Sequence, residues 1–104
     1  MTTKTTYTGE VLGSTDAAQM PTQTYRWGYI KAESGNSGSV FIGSSSDVEA
    51  FGSTDTNTTG GLELDAGDVI ILDMFPPDLH SNLNEFWYIC ENAGDDFTYM
   101  LFDW

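Results

Sequence analysis

The sequence predicts an all-β domain: a single antiparallel β-sandwich, jelly-roll or immunoglobulin-like, of about seven or eight short strands. Three observations predict it. The polar filler is Ser, Thr, Gly and Asn, which suits strands and turns, while the residues that cover exposed helix faces are scarce. Short apolar and aromatic runs recur about every ten residues between turn signals, the spacing of a sandwich or small barrel. With 104 residues, 39% of them hydrophobic and 13% aromatic, the chain is too apolar for disorder and long enough for one core without covalent staples. Residues 1–104 therefore form one domain, with 1–23 as an N-terminal strand plus loop available for attachment.

The elements follow in order. Thr5 to Leu12 (TTYTGEVL) reads as a first strand with Gly9 as a bulge. Gly13 to Gln23 is polar and contains Pro21, a loop with at most one helical turn after a Ser14 or Thr15 cap. From Thr24 to Glu33 residues alternate, with Tyr25, Trp27, Tyr29 and Lys31 on one face and Arg26, Gly28, Ile30 and Ala32 on the other. The aromatic face is the expected core face, because strand aromatics at period two usually build cores. A Ser34–Gly38 turn leads to Ser39–Ile42, a central strand expected to pair with the preceding one as a hairpin.

Gly43 to Gly61 reads as a long surface loop with a minor strand at Val48–Phe51. Leu62–Leu64, the turn Asp65-Ala66-Gly67-Asp68 and Val69–Met74 read as a second hairpin, with Gly67 available for positive φ. Pro76 and Pro77 stop that sheet, since neither can donate to a ladder. Phe86–Glu91, the turn Asn92–Asp96 and Phe97–Trp104 read as a third hairpin. Both faces of its second strand carry large apolar groups, so that strand is expected to be either central or pressed against a neighbour.

Sixteen acidic residues against Lys4, Arg26 and Lys31 give a net charge of −13. Such a surface repels phosphate backbones and anionic lipid, which argues against nucleic acid and membrane surfaces as partners. Abundant Asp with almost no Lys also resembles halophilic proteins; at about 1 M salt the Debye length shrinks to about 3 Å and carboxylates stop repelling strongly. An ordinary acidic protein has the same composition. Because all three cations precede residue 32, the N-terminal third is the part suited to an acidic partner.

No constellation for catalysis emerges, and the chain is read as a non-enzyme without cofactor or metal. His80 is the lone histidine and is expected in a solvated loop; Cys90 follows Phe86-Trp87-Tyr88-Ile89 and is expected to be a buried structural thiol. No carboxylate pair stands out for general acid and base work. Asp95 and Asp96 are the first place to look for a structural cation, although Asp is an ordinary turn residue. Asn57-Thr58-Thr59 fits a glycosylation sequon in a Thr-rich loop, where such triplets arise by chance. Trp27 with the tyrosines offers a sugar-stacking platform as an alternative to core. Phe75, before the prolines, and Trp104 are hard to place in a core and read as interface anchors.

Four segments carry a resemblance: Ser39–Ser45 (SVFIGSS), Gly60–Leu72 (GGLELDAGDVIIL), Asn82–Ile89 (NLNEFWYI) and Ala93–Leu101 (AGDDFTYML). In this order, over residues 39 to 101, they are similar to small β-structured virion proteins of tailed viruses. The resemblance implies a head decoration, head-fibre or tail-associated protein without enzymatic activity; together with the acidity it points to a virus of a halophilic archaeon or a marine bacterium. The expected function is that of a capsid decoration or cement protein. It would be made in the host cytoplasm, bind the outer surface of the major capsid protein lattice or another virion protein, and act as a homo-oligomer. The alternative is a carbohydrate- or receptor-binding module of a fibre, turret or tail. Lys4, Trp27, Phe75 and Trp104 are the interface candidates.

Overall fold

A computed structural model describes residues 4–48, 61–73 and 80–104. These residues form ten strands and a short 3-10 turn. The strands are β1 (Thr6–Leu12), β2 (Ala18–Gln19), β3 (Thr24–Tyr25), β4 (Trp27–Ala32), β5 (Val40–Gly43), β6 (Leu62–Leu64), β7 (Val69–Asp73), β8 (Ser81–Asn82), β9 (Trp87–Cys90) and β10 (Asp96–Phe102). The all-β class holds, with ten strands where seven or eight were expected, because three of them are two-residue pieces too short to leave a periodic signal.

Two four-stranded antiparallel sheets carry the fold, one in the order β1-β10-β4-β7 and one in the order β2-β9-β5-β6, beside a small β3-β8 ribbon. β10 and β5 are interior strands, as their two apolar faces require. None of the three expected hairpins forms. β4 and β5, β6 and β7, and β9 and β10 each fall in different sheets, so each intervening turn carries the chain across rather than back. The turn after β6 shows why. Gly67 has φ of 89° as foreseen, and the Asp68 N–H closes on the Asp65 carbonyl at 2.9 Å. The same turn also docks on the end of β4, where the Gly67 N–H donates to the Ala32 carbonyl and the Ala32 N–H to Asp68, each at 2.9 Å. That anchorage aims the next strand at β4 instead of β6.

A single core cluster draws on both sheets: Val11, Ile30, Ala32, Leu72, Phe97 and Leu101 from the first, and Val40, Ile42, Leu64, Tyr88 and Cys90 from the second. Each large aliphatic or aromatic side chain buried there contributes about 1.5–3 kcal/mol. Phe97 sits centrally, with Tyr88 edge-on at 5.3 Å. Met20, Tyr25 and Leu83 close the cluster.

Two expectations about β3 and β4 are corrected. The run 24–33 is broken at Arg26, so Tyr25 enters the core while Trp27 faces out. The core face of β4 is the Gly28, Ile30, Ala32 face, not the aromatic one. Phe97 and Leu101 on the neighbouring β10 already fill the space above it, and a Cβ at Gly28 would run into the Met100 carbonyl. Small residues are what that position accepts.

Gly9 makes no bulge, since β1 pairs with β10 in unbroken register from Thr6 to Leu12. It instead leaves room for the Tyr99 ring, whose hydroxyl would lie 2.5 Å from a Cβ there. The helical turn expected after Ser14 is absent; residues 18–19 form β2 against β9, and the 3-10 turn lies at Leu83–Glu85, capped by the Asn82 side chain accepting from the Asn84 N–H. Within the described residues Val48 is buried but not in a strand. Phe75, Asn57 and most of the expected 43–61 loop lie outside the described residues.

Candidate functional site

The outward side of the first sheet gathers the residues of interest. Pairing registers place side chains in rows across its four strands: Thr6, Phe102, Trp27 and Asp73; then Thr8, Met100, Tyr29 and Ile71; then Glu10, Thr98, Lys31 and Val69. The two central strands show mostly apolar groups to solvent. Ile71 is 69% and Val69 46% exposed, an unusual state for β-branched residues side by side on one face.

One corner of this face is an aromatic cluster. The Trp27 ring stacks on Phe102 at 3.9 Å with an interplanar angle of 15°. Trp104 meets both rings edge-on, at 6.1 Å from Trp27 and 5.5 Å from Phe102. The Trp27 indole N–H donates to the Trp104 carbonyl at 3.0 Å, and the Lys4 ammonium lies 4.9 Å above the Trp104 ring, a cation–π contact. Trp27 and Trp104 nevertheless remain 38% and 41% exposed. Three of the four interface candidates, Lys4, Trp27 and Trp104, thus meet at one place; the fourth, Phe75, lies outside the described residues. Phe102, Met100, Val69 and Ile71 were missed as members, and Tyr29 was named only as part of the sugar-stacking platform. Their period-two spacing on β10, β4 and β7 was visible, but the lateral order of those strands was not.

Beside the corner, Arg26 Nε donates to His80 Nε2 at 3.2 Å, and that same nitrogen lies 3.2 Å from an Asp103 carboxylate oxygen. One nitrogen cannot serve both partners at once. Without a hydrogen it accepts from Arg26; carrying one, it donates to Asp103.

Between β1, β10 and β4 the face dips into a cleft of about 430 Å³ lined by Thr8, Gly9, Glu10, Tyr29, Thr98, Tyr99 and Met100. The Tyr29 hydroxyl reaches the Met100 sulfur at 3.6 Å across it. Past the cleft the face turns acidic. Glu10, Glu33 and Asp96 bring carboxylate oxygens within 4.8 Å of one another. Partial burial, then the charges of Glu10 and Asp96, push the Glu33 carboxyl above its usual range.

Asp95 and Asp96, named together as a cation candidate, do different work. Asp95 is 2% exposed and its carboxylate is taken up by the chain itself: it accepts from the Ser37 N–H at 2.9 Å, the Gly38 N–H at 3.0 Å and the Ser37 hydroxyl at 3.2 Å. Asp95 is thus a structural clasp between two turns, and Asp96 alone joins the acidic group. Cys90 is buried as expected, its thiol directed at the Asp95 carbonyl at 3.9 Å and raised in pKa first by burial and then by the nearby Asp95 and Asp96 charges. Among the described residues no helix is long and apolar enough to cross a membrane.

No protein-family model matches this chain, and no curated protein or solved structure matches it either.

Proposed function

We propose that the two sheets form a jelly-roll sandwich and that the chain is a non-enzymatic structural protein of a virion, bound at the outer capsid surface as a decoration or cement protein. The strand order supports the first part. With the two-residue strands β3 and β8 set aside, the remaining eight read 1-8-3-6 and 2-7-4-5, the order of nested Greek keys, and only one sequence-adjacent pair, β5 with β6, is hydrogen-bonded. An immunoglobulin-like sandwich would instead place strands A and B, D and E, and F and G side by side.

One observation carries the function: the convergence of Lys4, Trp27 and Trp104 on a single half-exposed corner of an apolar sheet face. Aromatic anchors ringed by polar groups are the usual centre of protein interfaces, and each is worth about 2 kcal/mol or more when fully covered. Burying this face between neighbouring subunits of the shell adds association energy that resists internal pressure. The virion setting itself rests on the ordered resemblance over residues 39 to 101.

Co-sedimentation with emptied capsids of the virus that encodes the chain, at that virus's native salt, tests the reading. Saturable binding is expected, weakened about thirtyfold by Trp104→Ala with the melting temperature checked separately. Absence of binding by the wild-type chain overturns it.

The cleft beside Tyr29 favours a second reading, a carbohydrate- or receptor-binding module of a fibre, turret or tail, with Thr8, Glu10 and Thr98 as hydrogen-bonding groups. Glycan-array binding that is lost in Tyr29→Ala, with folding intact, would favour that reading over decoration.

A further inference from the structure

We propose that the outward face of the first sheet binds a second copy of this chain, face to face, about a two-fold axis that lies between the sheets and crosses the strands at the Tyr29–Met100 row. The inference rests on the reading of this face as a protein interface and names its occupant.

Charge and register both fit such a pairing. The face is polar along its strands: Lys4 lies at the aromatic end, where Arg26 is already engaged with His80 beside Asp103 and Asp73 ends the Trp27 row, and Glu10, Glu33 and Asp96 lie at the other. A rotation about the stated axis reverses the strand direction while keeping each strand opposite its own copy. The Lys4 end of each copy then meets the acidic end of the other, twice over, as an isologous interface requires. The register sharpens this. Trp27 and Lys31 sit one row to either side of Tyr29 on β4, so the Lys31 ammonium of each copy arrives over the Trp27–Phe102 aromatic pair of the other, a cation–π arrangement. Ile71 on β7 meets its own copy, and Val69 meets the row of Asp73 rather than another carboxylate. No pair of like charges is forced together at these rows.

Net charge opposes the association, since each copy carries −13. That repulsion is long-ranged and screened over about 8 Å at 0.15 M salt, whereas pairs in direct contact are screened much less. Dimerisation is therefore expected to strengthen as salt rises from about 10 mM to about 0.15 M, opposite to an interface held only by attraction between net charges. Size limits its strength. Four strands spaced about 4.8 Å and about six residues long give a flat footprint of roughly 400 Å², short of the roughly 800 Å² per partner of a stable complex. A dissociation constant of tens of micromolar, on the order of 10⁻⁵ M, is the expectation.

Sedimentation velocity of the full chain from 10 µM to 1 mM, at about 10 mM and about 0.15 M salt, is the test. The expected result is a reversible monomer–dimer equilibrium, tighter at the higher salt and weakened at least tenfold by Lys31→Glu. Lys31 is partly exposed and outside the core, and circular dichroism and melting confirm that the variant folds. Glu63→Lys on the second sheet serves as the control that leaves the dimer intact. A chain that stays monomeric to 1 mM at both salts overturns the proposal, as does a dimer indifferent to Lys31→Glu. A monomer whose capsid binding is nevertheless abolished by Lys31→Glu places a shell protein on this face, and so keeps the proposed function while removing the second copy. A dimer that fails to bind capsids does the reverse.

Discussion

Asp95 is the clearest case of one side chain setting a property of the whole chain. Burial alone would raise its pKa, but the amides of Ser37 and Gly38, with Asn92 and the Ser37 hydroxyl, outweigh burial and hold its carboxyl below the ordinary range. A folded-state pKa below the unfolded one contributes stability that is present above the unfolded value and is lost as pH falls through the folded value. Asp95→Ala strands the amides that the carboxylate now satisfies, and should cost about 3 kcal/mol, read as a drop of roughly 10–20 °C in melting temperature at pH 7. Glu33 has the opposite sign. Its raised pKa means that its contribution is full below the unfolded value and is lost as pH rises through the folded one, because ionisation puts charge into a partly buried site and then sets three carboxylates against one another. Glu33→Gln should therefore raise the melting temperature at pH 7, with the gain shrinking at pH 4 and at about 1 M salt. A variant that is no more stable at pH 7 in dilute buffer would contradict the repulsion.

At the scale of elements, strands and turns were legible while their partners were not. Gly67 was marked for positive φ from its turn, and it has it. The sequence of that turn says nothing about Ala32, yet the hydrogen bonds to Ala32 decide that β7 joins β4 instead of folding back on β6. The other two expected hairpins failed in the same way, since a short polar turn suits a return within one sheet and a crossing between two equally well. The choice of core face on β4 also escaped a reading of one strand alone. Aromatic Trp27 and Tyr29 outweigh Gly28 and Ala32 in hydrophobicity, but the volume over β4 belongs to Phe97 and Leu101 of β10. Gly28→Ala tests that account: with φ of +155° and the Met100 carbonyl pressing on the site, the added methyl should cost about 2 kcal/mol or more in chemical denaturation. Stability equal to wild type would show that the strands can separate to admit it.

Among the described residues, one sheet face differs from the rest of the surface. Lys4, Arg26 and Lys31, the only cations beside sixteen acids, lie on or beside it together with two half-exposed tryptophans and two exposed β-branched residues. The sequence showed that the cations were confined to the N-terminal third and that Trp27 and Trp104 needed explaining. It could not show that residues 4, 27 and 104 are neighbours, because that depends on β1 and β4 flanking β10. The proposed function and the proposed dimer both require that this face be covered, by a shell protein or by a second copy. Hydroxyl-radical footprinting of the chain, free in dilute solution and in its native particle, tests it most directly. Trp27, Met100 and Trp104 should oxidise readily in the free chain and be protected several-fold in the particle, while Leu62 on the second sheet changes less. Equal oxidation of the three in both states would contradict the claim.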